Sequence, residues 1–299
     1  MLAANLKVHP MFSMPSSRPT HLTTLPMRPS TMAVVLGSVL LLAGLALPAT
    51  PTHAAENKVD AVAQLAPSGT LRAAINYGNA VLAVKNPKTG ALEGVSVDLA
   101  EELGKRLGVP VKLVPYAAAR TAVEGASKKE WDVAFTAIDP KRAQDMAFTA
   151  PYLVIEGTYM VRQDSPIKTN ADVDKPGVRV AISSGSAYDL FLSRSLKQAR
   201  LVRTGSPTEV TDMMMAQSLD VVAGVKQRNQ ADAERVPGLR MLDGNFMEIR
   251  QAMATIKGRD IGARYLSAFV EEMKANGFVK ASLARHHNDG VTVAAPANH

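Results

Sequence analysis

The chain has 299 residues, enough to bury a large core and to form two structural units, and it contains no cysteine. This excludes disulfides, thiol chemistry and a lipid-modified N-terminal cysteine. Beyond the first 55 residues, 31 lysines and arginines face 27 acidic residues, and aromatic residues make up only 5% of the chain. That composition excludes the basic, aromatic-rich surface that is typical of nucleic-acid binding.

The N-terminal segment has the pattern of an export signal. It carries three cations and no acidic residue, and residues 33–47 are an uncharged apolar run. The run is shorter than the roughly 20 residues of a membrane-spanning helix. It ends at Pro48, and residues 52–54 are a small-residue cleavage site. We therefore predict a cleaved signal peptide over residues 1–54, with an over-long basic region unless translation starts at Met27; the alternative is an uncleaved signal anchor.

After this segment, apolar runs and amphipathic stretches alternate along the chain. They predict strands at 70–75, 109–114, 132–135 and 152–161 and helices at 96–107 and 117–127, then strands at 178–182, 201–202, 219–223 and 250–256 and helices at 187–197, 206–217 and 260–276. Such alternation predicts an α/β fold with a mostly parallel sheet and helices on both faces. The polar residues 288–299 are predicted to be a disordered tail.

A candidate anion site follows the apolar strand at residues 131–135. Asp139 and Pro140 are typical of a helix start, because aspartate caps free N–H groups and proline fits the first helical position. Arg142 would then lie in the first helical turn. A carboxylate bound there would meet a guanidinium and the positive end of a helix. Open α/β sheets usually bind ligands at this end of their strands.

Four motifs occur in a characteristic order along this part of the chain. They are Gly94-Val-Ser-Val-Asp98-Leu-Ala100, Trp131-Asp132-Val133, Arg142, and Phe148-Thr149-Ala150-Pro151-Tyr152. This order resembles the lobe-one signature of the bacterial extracellular solute-binding proteins of family 3, the polar-amino-acid type of ABC-transport binding proteins. The resemblance covers about residues 68–285.

The resemblance implies a two-lobed periplasmic-binding-protein fold of type II, in which each lobe is a mixed, mostly parallel sheet flanked by helices. Lobe one would comprise residues 68–161 plus 253–287, and lobe two residues 162–252. The two crossings between them would form a hinge. Ligand would bind in the cleft between the lobes and close it.

The resemblance also implies a set of ligand-binding residues. In lobe one, Arg142 would clamp an anion, the preceding loop would supply backbone and hydroxyl contacts, and an aromatic side chain would wall the ligand. In lobe two, a Ser-Gly-Ser turn would form an anion nest. The residues assigned are Phe135, Thr136, Ala137 and Tyr77 in lobe one, and Ser184, Gly185 and Ser186 in lobe two. Tyr77 is equally interpretable as a half-buried core tyrosine, and Ser186 as an ordinary helix cap.

The sequence departs from the family pattern in two places. The interval from Asp132 to Arg142 is two residues shorter than in amino-acid binders. Lys226 also lies where the resemblance implies an acidic partner for a ligand ammonium group. Glu156 or Asp189 would have to supply that charge; otherwise Lys226 meets a second ligand anion.

The sequence therefore predicts the periplasmic solute-binding component of an ABC uptake system, a non-enzymatic monomer that captures an amino acid or organic acid and delivers it to a membrane permease. No cofactor, metal or nucleic-acid partner is expected. An enzyme similar to cyclohexadienyl dehydratase is the alternative, with Glu156 as its catalytic acid. A ligand-dependent sensory protein is a third possibility.

Overall fold

The computed structural model describes residues 53–288 and 290–297. The predicted signal peptide falls almost entirely on residues 1–52, outside this range. Within the described part of the chain, no helix combines the length and the apolar character needed to cross a membrane.

Helices and strands alternate as the sequence predicts. The helices are α1 (His53–Leu65), α2 (Val95–Leu107), α3 (Ala119–Ser127), α4 (Ala187–Ser195), α5 (Val210–Ala216), α6 (Lys226–Arg235), α7 (Asp260–Ala275) and α8 (Phe278–Arg285). The strands are β1 (Leu71–Asn76), β2 (Val84–Lys85), β3 (Leu92–Glu93), β4 (Val111–Tyr116), β5 (Val133–Ala137), β6 (Met146–Arg162), β7 (Arg179–Ser183), β8 (Arg200–Thr204), β9 (Val221–Val225), β10 (Leu239–Met241), β11 (Met247–Ile256) and β12 (Thr292–Val293).

One large sheet has the strand order β4-β1-β5-β11-β6-β9-β7-β8. At one end β1 pairs in parallel with β4 and β5, and at the other end β7 pairs in parallel with β8 and β9. The long strands β11 and β6 lie antiparallel between these two groups. The predicted α/β fold, with mostly parallel strands and flanking helices, is confirmed.

The helices pack on the sheet through apolar stripes. In α2, Leu99, Leu103 and Leu107 recur every fourth residue and are all buried. The helix begins after Gly94, whose φ of 140° is open to glycine but rarely to other residues. A Cβ atom on Gly94 would lie 2.5 Å from the backbone oxygen of Leu82, so the close approach of two chain segments also requires glycine.

Asp132 ties three segments of the fold together. Its carboxylate is fully buried and accepts hydrogen bonds from Arg72 Nε at 2.8 Å and Arg72 Nη2 at 2.9 Å. Arg259 Nη1 donates a third at 3.0 Å. The carboxylate that precedes β5 thereby anchors both β1 and the start of α7.

Strand β6 lies between β11 and β9 in the sheet and pairs with both. Its residues Met146–Gly157 pair with β11, and Gly157–Val161 pair with β9. The register between β11 and β6 is irregular around Ala252, near the point where β11 also begins to pair with β5. The predicted end of lobe one, residue 161, lies within the segment paired with β9. The placement of the lobe boundaries stays a prediction.

The prediction of a disordered tail is wrong for residues 291–294. Thr292 and Val293 form β12, which pairs with Val154 and Leu153 of β6. Val291 and Ala294 are buried. These few apolar side chains were not recognised because the rest of the segment is polar. They pack beside β6.

Val291→Asp is therefore expected to lower the free energy of unfolding by about 2 kcal/mol, because it would bury a carboxylate among apolar neighbours. Urea unfolding followed by circular dichroism measures the change. Thr292→Asp is the matched control, since Thr292 is exposed. Equal stability of the two variants would contradict the packing of residues 291–294 beside β6.

Candidate functional site

A cavity of about 260 Å³ opens where the C-terminal ends of both groups of parallel strands meet. Residues after β1 and β5 line one side, and residues after β7 and β9, together with α6, line the other. The lining contains one buried cation, several hydroxyl groups and the amide side chains of Asn76, Asn79, Gln227, Asn229 and Gln251. Topology thus brings polar groups from distant parts of the chain into one concave site, as expected for open α/β sheets.

Arg142 lines this cavity and is only 3% exposed. Its Nη1 donates to Thr136 Oγ1 at 2.8 Å and to the Ala137 carbonyl at 3.0 Å. Nη2 donates at 3.0 Å to the carbonyl of Gly185, which lies in the turn between β7 and α4. The structure therefore places Arg142, Thr136 and Ala137 together, as the sequence predicts.

The local backbone around Arg142 differs from the prediction. Residues Arg142–Gln144 form a single 3-10 turn and not the start of an α-helix. Asp139 accepts the Lys141 N–H at 2.8 Å, so it does act as a cap, but only for this single turn. Because a three-residue turn has almost no macrodipole, the positive potential of the site comes from the guanidinium itself.

No carboxylate in the described part of the chain forms an ion pair with Arg142. Burial lowers the pKa of Arg142 to about 10, against the opposing attraction of Asp139. The side chain is nevertheless charged at neutral pH. An unpaired buried charge is costly, and a bound anion would relieve that cost.

Two further predicted residues line the cavity. Tyr77 follows β1 and is half-exposed, as expected of a wall that a ligand packs against. Ser186 caps α4, accepting the Asp189 N–H at 3.0 Å, and also faces the cavity. The predicted helix cap and the predicted cavity contact are thus compatible at Ser186.

Four other predicted residues do not line the cavity: Phe135, Ser184, Gly185 and Lys226. Phe135 points into the core, where its ring meets Tyr152 edge-on at 6.2 Å. Ser184 lies outside the lining, and the Gly185 N–H donates to Asp189 at 2.8 Å. The Gly185 contribution is therefore a carbonyl that accepts from Arg142, and not an N–H nest for an anion.

Lys226 also lies away from the cavity. Its ammonium group contacts the Glu156 carboxylate at 2.5 Å on a half-exposed surface. The Lys226 hydrogen bond lowers the pKa of Glu156, so this carboxylate is ionised. The predictions of Lys226 as an anion contact and of Glu156 as a ligand partner both fail for the same reason: the two side chains bind each other.

The polar face of α6 was not predicted from the sequence. Asp232 is buried, lines the cavity and accepts hydrogen bonds from Thr211 Oγ1 at 2.7 Å and Arg228 Nε at 2.8 Å. Arg235 Nε donates to its other oxygen at 3.2 Å. Burial acts to raise the pKa of Asp232, but these donors outweigh it and the pKa is lowered. The four-residue spacing of Arg228 and Asp232 on a helix is the signal that identifies this pair.

Gln251 was also missed as a cavity residue. It lies in β11, is buried and lines the cavity, and its Oε1 has no hydrogen-bond partner. A buried amide oxygen without a partner is destabilising. A donor group that reaches this part of the site would remove that cost.

Two contacts link the loop after β5 to the region around α4. One is the bond from Arg142 to the Gly185 carbonyl. The other joins Arg194 Nη2 to Asp139 Oδ2 at 2.8 Å, where the Asp139 side chain is buried and Arg194 is half-exposed. Both contacts join residues 139–142, which follow β5, to residues 185–194 around α4, so they link the segments that carry the two sides of the cavity.

Comparisons with curated proteins give distant relatives. The chain is 23% identical to a glutamine-binding protein of Geobacillus stearothermophilus over 201 residues, which cover 66% of this chain and 75% of that protein. It is 27% identical to a cyclohexadienyl dehydratase of Pseudomonas aeruginosa over 169 residues, 55% of this chain and 61% of that enzyme.

Solved structures show the same two-lobed fold. A mutant of ArgBP from T. maritima matches with a TM-score of 0.65 at 23% identity, covering 76% of this chain and 99% of that one. The substrate-binding protein AbpA of an amino acid ABC transporter from Streptococcus pneumoniae, bound to L-arginine, matches with a TM-score of 0.65 at 18% identity, covering 75% and 97%. Residues 71–289 match the family model described as bacterial extracellular solute-binding proteins, family 3, and the chain belongs to this family.

Proposed function

We propose that this protein is the periplasmic solute-binding component of an ABC uptake system and captures a small solute through a carboxylate held by Arg142. The observation that carries the proposal is a buried guanidinium, without a carboxylate partner in the described chain, in the lining of a cavity of about 260 Å³. The bonds to Thr136 and to the Ala137 carbonyl hold the guanidinium in place. A carboxylate would accept hydrogen bonds from the N–H groups of Arg142 that these two acceptors leave free.

In this proposal the ligand is captured between two lobes that close around it. The lobes meet along β6 and β11, the strands that lie between the two groups of parallel strands, and the contacts from Arg142 to Gly185 and from Arg194 to Asp139 form on closure. The closed form then docks on a membrane permease, which releases the solute. Export by a cleaved signal peptide and a monomeric state belong to the same proposal.

Titration calorimetry of the purified mature protein against a panel of amino acids and organic acids tests the function. We expect at least one carboxylate to bind with one-to-one stoichiometry, and its esterified form not to bind. Binding of uncharged solutes alone would contradict the proposal.

Arg194→Ala is expected to weaken ligand binding about threefold to tenfold, since a half-exposed ion pair contributes about 1 kcal/mol or somewhat more. The effect arises through closure, because Arg194 does not line the cavity. Calorimetry measures the affinity, and the rank order of ligands is expected to stay the same. Arg200→Ala is the control, since Arg200 is exposed and lies on the same side of the cavity; a loss of equal size in both variants would argue against closure by this contact.

The alternative of a dehydratase needs a carboxylic acid that protonates the leaving group. Glu156 does not line the cavity and is ionised through its bond to Lys226. No contact in the described residues favours an enzyme over a binding protein. A prephenate dehydration assay tests this alternative, and turnover would replace the transport proposal.

A further inference from the structure

We infer that the natural ligand is a carboxylate anion without a free ammonium group, such as a hydroxy or oxo acid, and not a zwitterionic amino acid. The inference rests on the proposed function and specifies the class of solute that the same cavity takes. It depends on which charges face the cavity and which of them are already paired.

Three charged side chains line the cavity in the described chain: Arg142, Arg228 and Asp232. Arg228 and Asp232 form an ion pair at 2.8 Å and offset each other. Arg142 alone has no carboxylate partner, so the lining carries one excess positive charge. A ligand with net charge −1 balances it, whereas a zwitterion leaves it unbalanced.

A buried ammonium group would need a carboxylate whose charge is not already offset, and Asp232 pairs with two arginines. One of its oxygens accepts from Thr211 and Arg228, and the other from Arg235. An ammonium group bound there would share the carboxylate with Arg228 and Arg235 and would be repelled by both cations, which opposes binding.

The other acidic residues considered from sequence are also occupied. Glu156 binds Lys226 at 2.5 Å. Asp189 accepts the Gly185 N–H at 2.8 Å and Arg203 Nε at 2.9 Å. Neither lines the cavity. In contrast, neutral acceptors such as the Gln251 amide suit a ligand hydroxyl or a bound water, and they need no ligand cation.

The test compares matched ligands that differ only at the second carbon. Calorimetry with 2-amino, 2-hydroxy and 2-oxo acids sharing one uncharged side chain would use three sets: alanine, lactate and pyruvate; phenylalanine, phenyllactate and phenylpyruvate; and leucine with its hydroxy and oxo acids. In the set that binds best, the hydroxy or oxo acid is expected to bind at least about tenfold more tightly than the amino acid, the difference expected when a buried ammonium finds no carboxylate. Equal or tighter binding of the amino acid overturns the inference and leaves the proposed function intact. Absence of binding in every set overturns both.

Asp232→Asn provides a second, independent measurement. Removing this negative charge is expected to tighten binding of the acid severalfold, because the cavity becomes more positive. If Asp232 instead holds a ligand ammonium, the variant loses affinity for the amino acid by at least about tenfold, which overturns the inference. Glu156→Gln is the control for removal of a negative charge outside the cavity. The titration series on the unaltered protein decides the matter if Asp232→Asn fails to fold.

Discussion

Arg142→Met is expected to abolish carboxylate binding, weakening affinity by about 3 kcal/mol or more, at least about a hundredfold. The variant loses the charge and the forked donor geometry while roughly keeping the volume of the side chain. Since Arg142 has no carboxylate partner in the described chain, its replacement removes no ion pair. We therefore expect the variant to remain folded, as circular dichroism and thermal unfolding would show.

Two variants make this result interpretable. Arg142→Lys keeps a charge but loses the fork, so its affinity is expected to lie between those of the original protein and Arg142→Met. Arg250→Met removes an exposed arginine of β11 whose contact to Glu248 is 3.9 Å, and it is expected to bind normally. Unchanged affinity in folded Arg142→Met would remove Arg142 from the site.

Asp132→Ala is expected to have the largest effect on stability, lowering the free energy of unfolding by about 3–5 kcal/mol. The carboxylate is fully buried, and its loss leaves Arg72 and Arg259 without the partner that holds β1 and α7. Chemical denaturation of the purified protein measures the change.

Glu248→Ala is the matched control for Asp132→Ala. Glu248 is exposed and pairs with Arg250 only at 3.9 Å, so we expect a change within about 0.5 kcal/mol. If Asp132→Ala also costs less than about 1 kcal/mol, the three-way ion pair does not stabilise the fold as the geometry indicates.

Much of the fold was predictable because its periodicity is regular. The strand predicted at 70–75 is β1, shifted by one residue, and the helix predicted at 96–107 is α2, which begins one residue earlier. Buried strands read as apolar runs, and the leucine stripe of α2 has helical spacing. Both signals are local, so sequence alone is sufficient to find them.

The site was predictable only in part, because cavity lining depends on the rotation of elements and on tertiary pairing. Arg142 follows a buried strand, and that position identified it. Lys226 begins a helix that was not predicted, and the direction of that helix turns Lys226 towards Glu156 and Asp232 towards the cavity. The strand at 292–293 was missed because it is short and its partner is far away in sequence.

A crystal structure of the mature protein with its bound solute tests the central claim most directly. We predict solute density between the two groups of parallel strands, with a carboxylate oxygen about 3 Å from the Arg142 guanidinium. A solute held elsewhere, or held in this cavity through an uncharged group while Arg142 pairs with an acidic side chain of the protein, would contradict it.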